Sequence, residues 1–268
     1  MATTSGIQWG VGLRRAVVFP LNSDGTLKAT STTVYEGLEF DGPRAFDITY
    51  PEPRLIQNPG NDRVRDQMYL PPSDPVKCEL RTGFDDQAIN AALMNVTQFT
   101  VGESTLVAYG TDQQGSEADI ALLLFQQAHD DSKLTRWRYI MIPRARAIPM
   151  PPGMNDNALE TRYSVSISPS TKHIWNVALA SGTEGATEMS LAVGMAEGKP
   201  NIVAWKTDGT ATDFLFPTSK QAISTSKINL YDASTGAEVT TGITKAVDKI
   251  TYSVAPTTGK ILVARYEY

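Results

Sequence analysis

Only two histidines, His129 and His173, and one cysteine, Cys78, occur in the 268 residues. Zinc and other transition metals are held by several imidazole and thiolate ligands, so a site of that kind is nearly excluded. HExxH, CxxC, GxSxG, P-loop and GxGxxG patterns are absent from the sequence. His173 falls beside Trp175 in the alternating run Thr171–Leu179, a strand pattern that suits a hydrogen-bonded structural histidine better than a general base. His129 precedes Asp130-Asp131 in a polar turn, where solvation suffices. Carboxylate chemistry would have to come from Asp85-Asp86 or Asp130-Asp131. Glycosidase carboxyls must face each other across a substrate, and EF-hand calcium loops space their acids in a fixed pattern; neither doublet meets either requirement. The first doublet reads as a helix cap and the second as a solvated turn. Cys78, in VKCEL, lacks an adjacent histidine to activate it and reads as a semi-buried thiol in a short extended piece. The expectation is a chain with no catalytic residues, no cofactor and no metal.

The elements that carry these residues are short β runs punctuated by Gly, Asp, Asn and Pro. Arg15–Pro20, Thr33–Phe40 and Arg44–Tyr50 read as strands, the last two joined by a tight reversal at Asp41-Gly42-Pro43. From Pro51 to Asp86 prolines fall at 51, 53, 59, 71, 72 and 75, so this stretch reads as a long loop. It carries Arg54, Arg63, Arg65 and Tyr69, and reads either as surface loop or as an arm that docks on a neighbour. Asp86–Val96 has Ile89, Ala92, Leu93 and Val96 at helical spacing behind a capping aspartate. Ala118–Ala128 fits a buried strand or a helix, and the β elements on both sides favour a strand. Arg136–Ile142 alternates, with Pro143 predicted to close it. Strands at Thr161–Ser168, Asn201–Trp205, Asp213–Phe216, Lys227–Tyr231, Lys249–Val254 and Lys260–Tyr266 complete the pattern. Many strands, one helix and one long loop indicate an all-β sandwich or barrel.

Hydrophobic residues make up 41% and charged residues 20%, ordinary for a folded chain, and the net charge is −5. An acidic balance argues against a basic nucleic-acid glove. A single cysteine rules out an intrachain disulfide. Met1–Gly6 lacks the charged-then-apolar layout of a signal peptide, and the longest apolar run, Ile120–Phe125, is far short of the roughly 18 residues that cross a bilayer. The expectation is a soluble protein made in a cytoplasm.

The segment Phe40–Arg54, FDGPRAFDITYPEPR, resembles the early signature of the tail tube (major tail) proteins of siphophages. Leu70-Pro71-Pro72, and Arg136-Trp137-Arg138-Tyr139 leading into Ile142-Pro143-Arg144-Ala145-Arg146, are similar to later pieces of the same family, so the likeness spans about Gly12 to Trp205. The resemblance implies a two-sheet β-sandwich with a flanking helix over 1–217, six copies of which join into a ring with a closed inner β-barrel. Rings stack into the hollow tail shaft of the virion, assembled in the host cytoplasm. Partners would be further copies of the chain, the tape measure, tail terminator and distal tail proteins, and double-stranded DNA passing without specific binding. The segment 218–268 either completes the main fold or forms a small appended β module. Inter-subunit contacts would fall at Asp41, Gly42, Arg44 and Asp47 and at Arg54, Arg63, Arg65 and Tyr69. Arg44 would pair with Asp47 or with an acid on a neighbour; alternatively the turn is a plain hairpin tip with solvated charges. Acidic charge suits a channel that DNA must traverse without sticking. Two other readings belong to different classes: another self-associating virion component, such as a capsid decoration or tail terminator protein, and a carbohydrate-binding or carboxylate-dependent hydrolase domain using Trp137, Trp175 and Trp205 as a sugar platform.

Overall fold

The computed structural model describes residues 9–49, 54–60, 63–70, 76–83, 86–94, 98–101, 104–107, 117–129, 135–150, 160–170 and 191–268. All six side chains of Ile120–Phe125 are buried, yet they belong to two different cores. Ile120, Leu122 and Leu124 point into one, and Ala121, Leu123 and Phe125 into the other. A continuous apolar run with this division is a strand covered on both faces.

In chain order the first strands are β1 (Trp9–Pro20), β2 (Leu38–Glu39), β3 (Pro43–Thr49), β4 (Arg54–Gly60), β5 (Arg63–Leu70) and β6 (Val76–Thr82). Helix α1 (Gln87–Leu93) precedes β7 (Gln98–Val101), β8 (Ser104–Val107), β9 (Ile120–His129), β10 (Thr135–Met150), β11 (Thr161–Ile167) and β12 (Ala192–Ala196). The remainder are β13 (Pro200–Lys206), β14 (Asp213–Leu215), β15 (Asn229–Asp232), β16 (Ala237–Glu238), β17 (Ile243–Lys245), β18 (Lys249–Tyr252) and β19 (Ile261–Glu267). The chain is therefore all-β, with α1 the one α-helix among the described residues.

The main sheet runs β2-β1-β9-β10-β11-β6-β3, with β12 also paired to β10. All its pairings are antiparallel. Although β2 and β3 end on opposite edges, β3 lies beside β1, so the sheet is rolled. Its inner face holds one core, built from residues such as Val18, Leu80, Leu122, Ile142 and Val165, and α1 closes it with Ile89 and Leu93. The outer face of β1, β9 and β10 packs on the sheet β13-β19-β15-β16 through Phe19, Leu123, Phe125, Met141, Ile202 and Val263. The far side of that sheet meets β14-β18-β17 over a third core around Trp205, Phe214, Leu230 and Tyr266.

Local chemistry accounts for the helix: the Asp86 carboxylate accepts from the amides of Ala88 (2.8 Å) and Ile89 (3.2 Å), as an N-cap should. Cys78 is buried in β6, with its thiol pKa pushed up to about 12 by burial.

Four sequence expectations need correction. The reversal at Asp41-Gly42-Pro43 does not make a hairpin of its flanking strands, because β2 pairs with β1 and β3 with β6. Phe40 is drawn into the inner core, where it meets Tyr163 edge-on at 5.0 Å, and Gly42 at φ 58° turns the chain toward the opposite edge. The strand expected over Thr33–Phe40 is divided between two sheets: Tyr35 exchanges 2.9 Å backbone bonds with Ala204, whereas only Leu38–Glu39 joins β1. Gly37, at φ 76°, makes the switch, and a Cβ there would lie 2.8 Å from a Phe19 ring carbon. Pro143 does not end its strand. It sits where the register with β9 shifts between Ile142 and Ala145, a bulge that does not require its missing N–H, and β10 continues to Met150. Finally, the proline-rich stretch is not a loop throughout, since β4 and β5 form a hairpin and β6 is a full strand of the main sheet. The strand expected over Thr171–Leu179, with His173 and Trp175, lies outside the described residues. The segment 218–268 shares its sheets with β13 and β14, which begin at Pro200 and Asp213.

Candidate assembly surfaces

Three neighbouring features of the rolled sheet offer surface to a partner. The first is the hairpin β4–β5. It is inserted between β3 and β6, which pair directly with Thr49 opposite Lys77, and among the described residues its two strands pair only with each other. Register runs from Arg54↔Leu70 and Leu55↔Tyr69 to Gly60↔Arg63, and Arg65 is the extra residue of a bulge opposite Asn58 and Pro59. A two-stranded ribbon is marginally stable by itself in water and gains stability from a surface to lie on. The side chains of Arg54, Arg63, Arg65 and Tyr69 lie outside the described residues.

The second feature is the segment Asp41–Asp47, whose corner at Gly42 lies at the end of the β3–β6 pair opposite the arm, with Pro43 across from Thr82. The Gly83 amide donates to the Gly42 carbonyl at 2.8 Å, fixing the corner against the end of β6. Asp47 is taken by Arg81 on β6, not by Arg44. This pair raises the Arg81 pKa through its hydrogen bond and charge, and Glu79 (3.2 Å) and Glu160 (3.8 Å) extend the network. Arg44 has no ion-pair partner among the described residues. Asp41 is exposed. Arg44 and Asp47 instead border a groove of about 230 Å³ floored by Leu13, Phe46, Leu124 and Ile140, at the mouth of the roll.

The third feature is β12, which sequence reading missed. Its face toward the C-terminal sheet is small, Ala192, Gly194 and Ala196, because Tyr139 lies directly across Gly194 and leaves no room for a Cβ. Tyr139 is held there by Arg265, whose guanidinium donates to the phenol at 2.7 Å. The opposite face carries Val193 and Met195, 52% and 44% exposed, across from Ile140 and Arg138 beside the groove. Apolar surface of the inner face thus continues outward onto a strand that, among the described residues, pairs with β10 alone. Natural sheets usually blunt such edges with charge or proline; an unblunted one is a template for another chain. The readable signal was the alternation Ala-Val-Gly-Met-Ala, large and small residues at period two.

No protein-family model and no curated protein matches the chain.

A sugar platform finds little support in this arrangement. Trp205 is fully buried between Phe214 and Phe216, with ring centroids 5.8 Å away in each case. Trp137 packs against the second core. One acidic group away from these surfaces, Asp119, is held by two arginines. Burial pushes the Asp119 carboxyl up, but hydrogen bonds from Arg146 (2.8 Å) and Arg144 (2.6 Å) outweigh it and hold the group below the ordinary range.

Proposed function

We propose that this chain is a tail tube subunit of a long-tailed bacteriophage, acting by assembly and not by catalysis. Six copies would close into a ring whose rolled sheets join into a common inner barrel, and rings would stack into a conduit for DNA. The proposal carries with it a virion location, assembly in the host cytoplasm, and contacts with tape measure, terminator and distal tail proteins. The observation that supports it most is the β4–β5 hairpin, a ribbon attached at the tip of a sheet hairpin and, among the described residues, paired only with itself. In a stacked assembly it would lie on the neighbouring ring, while Val193 and Met195 would meet the adjacent subunit. Edge pairing between subunits removes the exposed edges of a β-rich chain, as full closure does in barrels. Exposed ion pairs such as Asp47–Arg81 are screened by solvent and would not hold a ring by themselves, so extended pairing and apolar burial must do so. Sedimentation velocity over a wide concentration range tests the reading: polymers of indefinite length are expected, whereas a capsid decoration or terminator protein would stop at one small oligomer.

A further inference from the structure

A cavity of about 280 Å³ lies where the rolled sheet meets the C-terminal sheet, and its lining is cationic and aromatic. Arg14, Arg15 and Lys199 face a single carboxylate, Glu39, among walls formed by Phe125, Trp137 and Tyr268. The sequence brings two adjacent arginines to one cavity through a register shift in β1 between Leu13 and Arg15, a bulge of the kind that re-aims side chains. Lys199 is fixed by reciprocal 3.0 Å backbone bonds with Tyr268, continuing the β13–β19 ladder.

Arg15 is the decisive residue. It is only 8% exposed. Its Nε lies 2.8 Å from Glu39, and one terminal nitrogen donates to Asn201 (3.2 Å) and to the Tyr268 phenol (3.4 Å). The other terminal nitrogen is buried with no hydrogen-bond partner among the described residues. A buried, unmatched donor of a permanently charged group is costly unless something accepts from it. Ring faces hold the cations without supplying an acceptor: the Arg15 guanidinium lies 5.4 Å from the Phe125 centroid and 5.9 Å from that of Tyr268, and Lys199 Nζ 5.4 Å from Trp137 and 5.7 Å from Tyr268. Glu39 is shared with Lys220, which approaches it to 3.7 Å, so its charge is only partly spent on the cavity.

We propose that this cavity binds one small oxyanion, a phosphate or carboxylate group, held by the exposed side chains of Arg14 and Lys199 with the buried charge of Arg15 behind them. Guanidinium forks suit such groups, which offer planar or tetrahedral oxygens, and the aromatic walls limit water around the contact. The site is independent of the assembly reading, because it joins two sheets of one chain.

Equilibrium dialysis with radiolabelled inorganic phosphate tests it in any state of association. Saturable uptake of one phosphate per chain is expected, accompanied by a change in tryptophan fluorescence that Trp137→Phe abolishes. Lys199→Gln retains the backbone pairing with Tyr268, and Arg14→Gln alters an exposed side chain; each should weaken uptake about tenfold, as loss of a charge-assisted hydrogen bond would. A parallel acetate titration shows whether phosphate or carboxylate is preferred. Uptake that does not saturate, that sodium chloride at matched ionic strength abolishes, or that both variants retain unchanged would overturn the proposal.

Discussion

Excising the arm separates an appendage from a part of the core. Residues 51–75 connect strands that are already paired, with Thr49 opposite Lys77. Replacing them by a two-residue Asn-Gly turn would close the β3–β6 hairpin directly between Tyr50 and Val76. Shortening that connection by more than three doublings removes about 2 kcal/mol of closure entropy from the cost of folding. The β4–β5 ribbon returns little in exchange, since an isolated two-stranded ribbon is marginal. The excised chain should therefore be as stable as the parent, or more stable by up to about 2 kcal/mol. Urea unfolding followed by circular dichroism measures this directly. Cys78, one residue beyond Lys77 and buried, supplies a local probe, because its thiol should remain as unreactive as before. The same variant should lose the ability to polymerise. Full-length polymers from the excised chain would show that the ribbon is ordinary surface. Loss of the β fold would show that it is part of the core, and the reasoning from register would fail.

Other outcomes follow from named residues. Val193→Thr with Met195→Glu should leave folding intact, since the new carboxylate faces Arg138 across the strand pair. Each residue is about half exposed and would bury the rest on association, worth about 1 kcal/mol apiece, so sedimentation should show subunit affinity falling about 30-fold; unchanged affinity would remove β12 from the interface. The Cys78 thiol, pushed up to about 12 by burial, should resist a disulfide reagent at pH 8 until the chain unfolds, as absorbance of the released thiol would report. Asp119 and Asp232 are each pushed up by burial but held lower by hydrogen bonds and charges that together outweigh it, Asp232 through Lys260 at 2.7 Å and Ser234. Their folded pKa values lie below the unfolded ones, so the stability they add is present above about pH 4 and lost as pH falls through the folded values. Acid unfolding of Asp119→Asn should accordingly depend less steeply on pH than that of the parent, and an identical profile would refute the role of the Arg144–Asp119–Arg146 cluster.

What could be read from the sequence was local. The Asp86 cap and the stripe through Ile89 and Leu93 specify α1 without reference to the rest of the chain. The strand expected over Thr161–Ser168 is β11, and that over Lys227–Tyr231 falls on β15. The failures were nonlocal or came from proline. Nothing between Leu38 and Thr49 states that β2 and β3 belong to opposite edges; that follows from Phe40 entering a core made by Tyr163, more than a hundred positions later. Pro59 and Pro143 read as strand breakers, yet each falls at a register shift where a ladder donor can be spared. Of the candidate contact residues, the structure brings Asp47 to Arg81 and leaves Arg44 at the rim of the apolar groove. Val193 and Met195 went unread because a five-residue run of mixed size, with a glycine at its centre, looks like a turn until Tyr139 is placed across it.

Tube formation is the central claim, and negative-stain electron microscopy of the purified chain tests it most directly. In the proposed ring, six chains at −5 each would bring −30 formal charges, part of which would line the channel and keep DNA from adhering. Long hollow tubes, sixfold in end view and with an open channel along the axis, are expected. Uniform single subunits at every concentration, or closed oligomers that never extend, would contradict it.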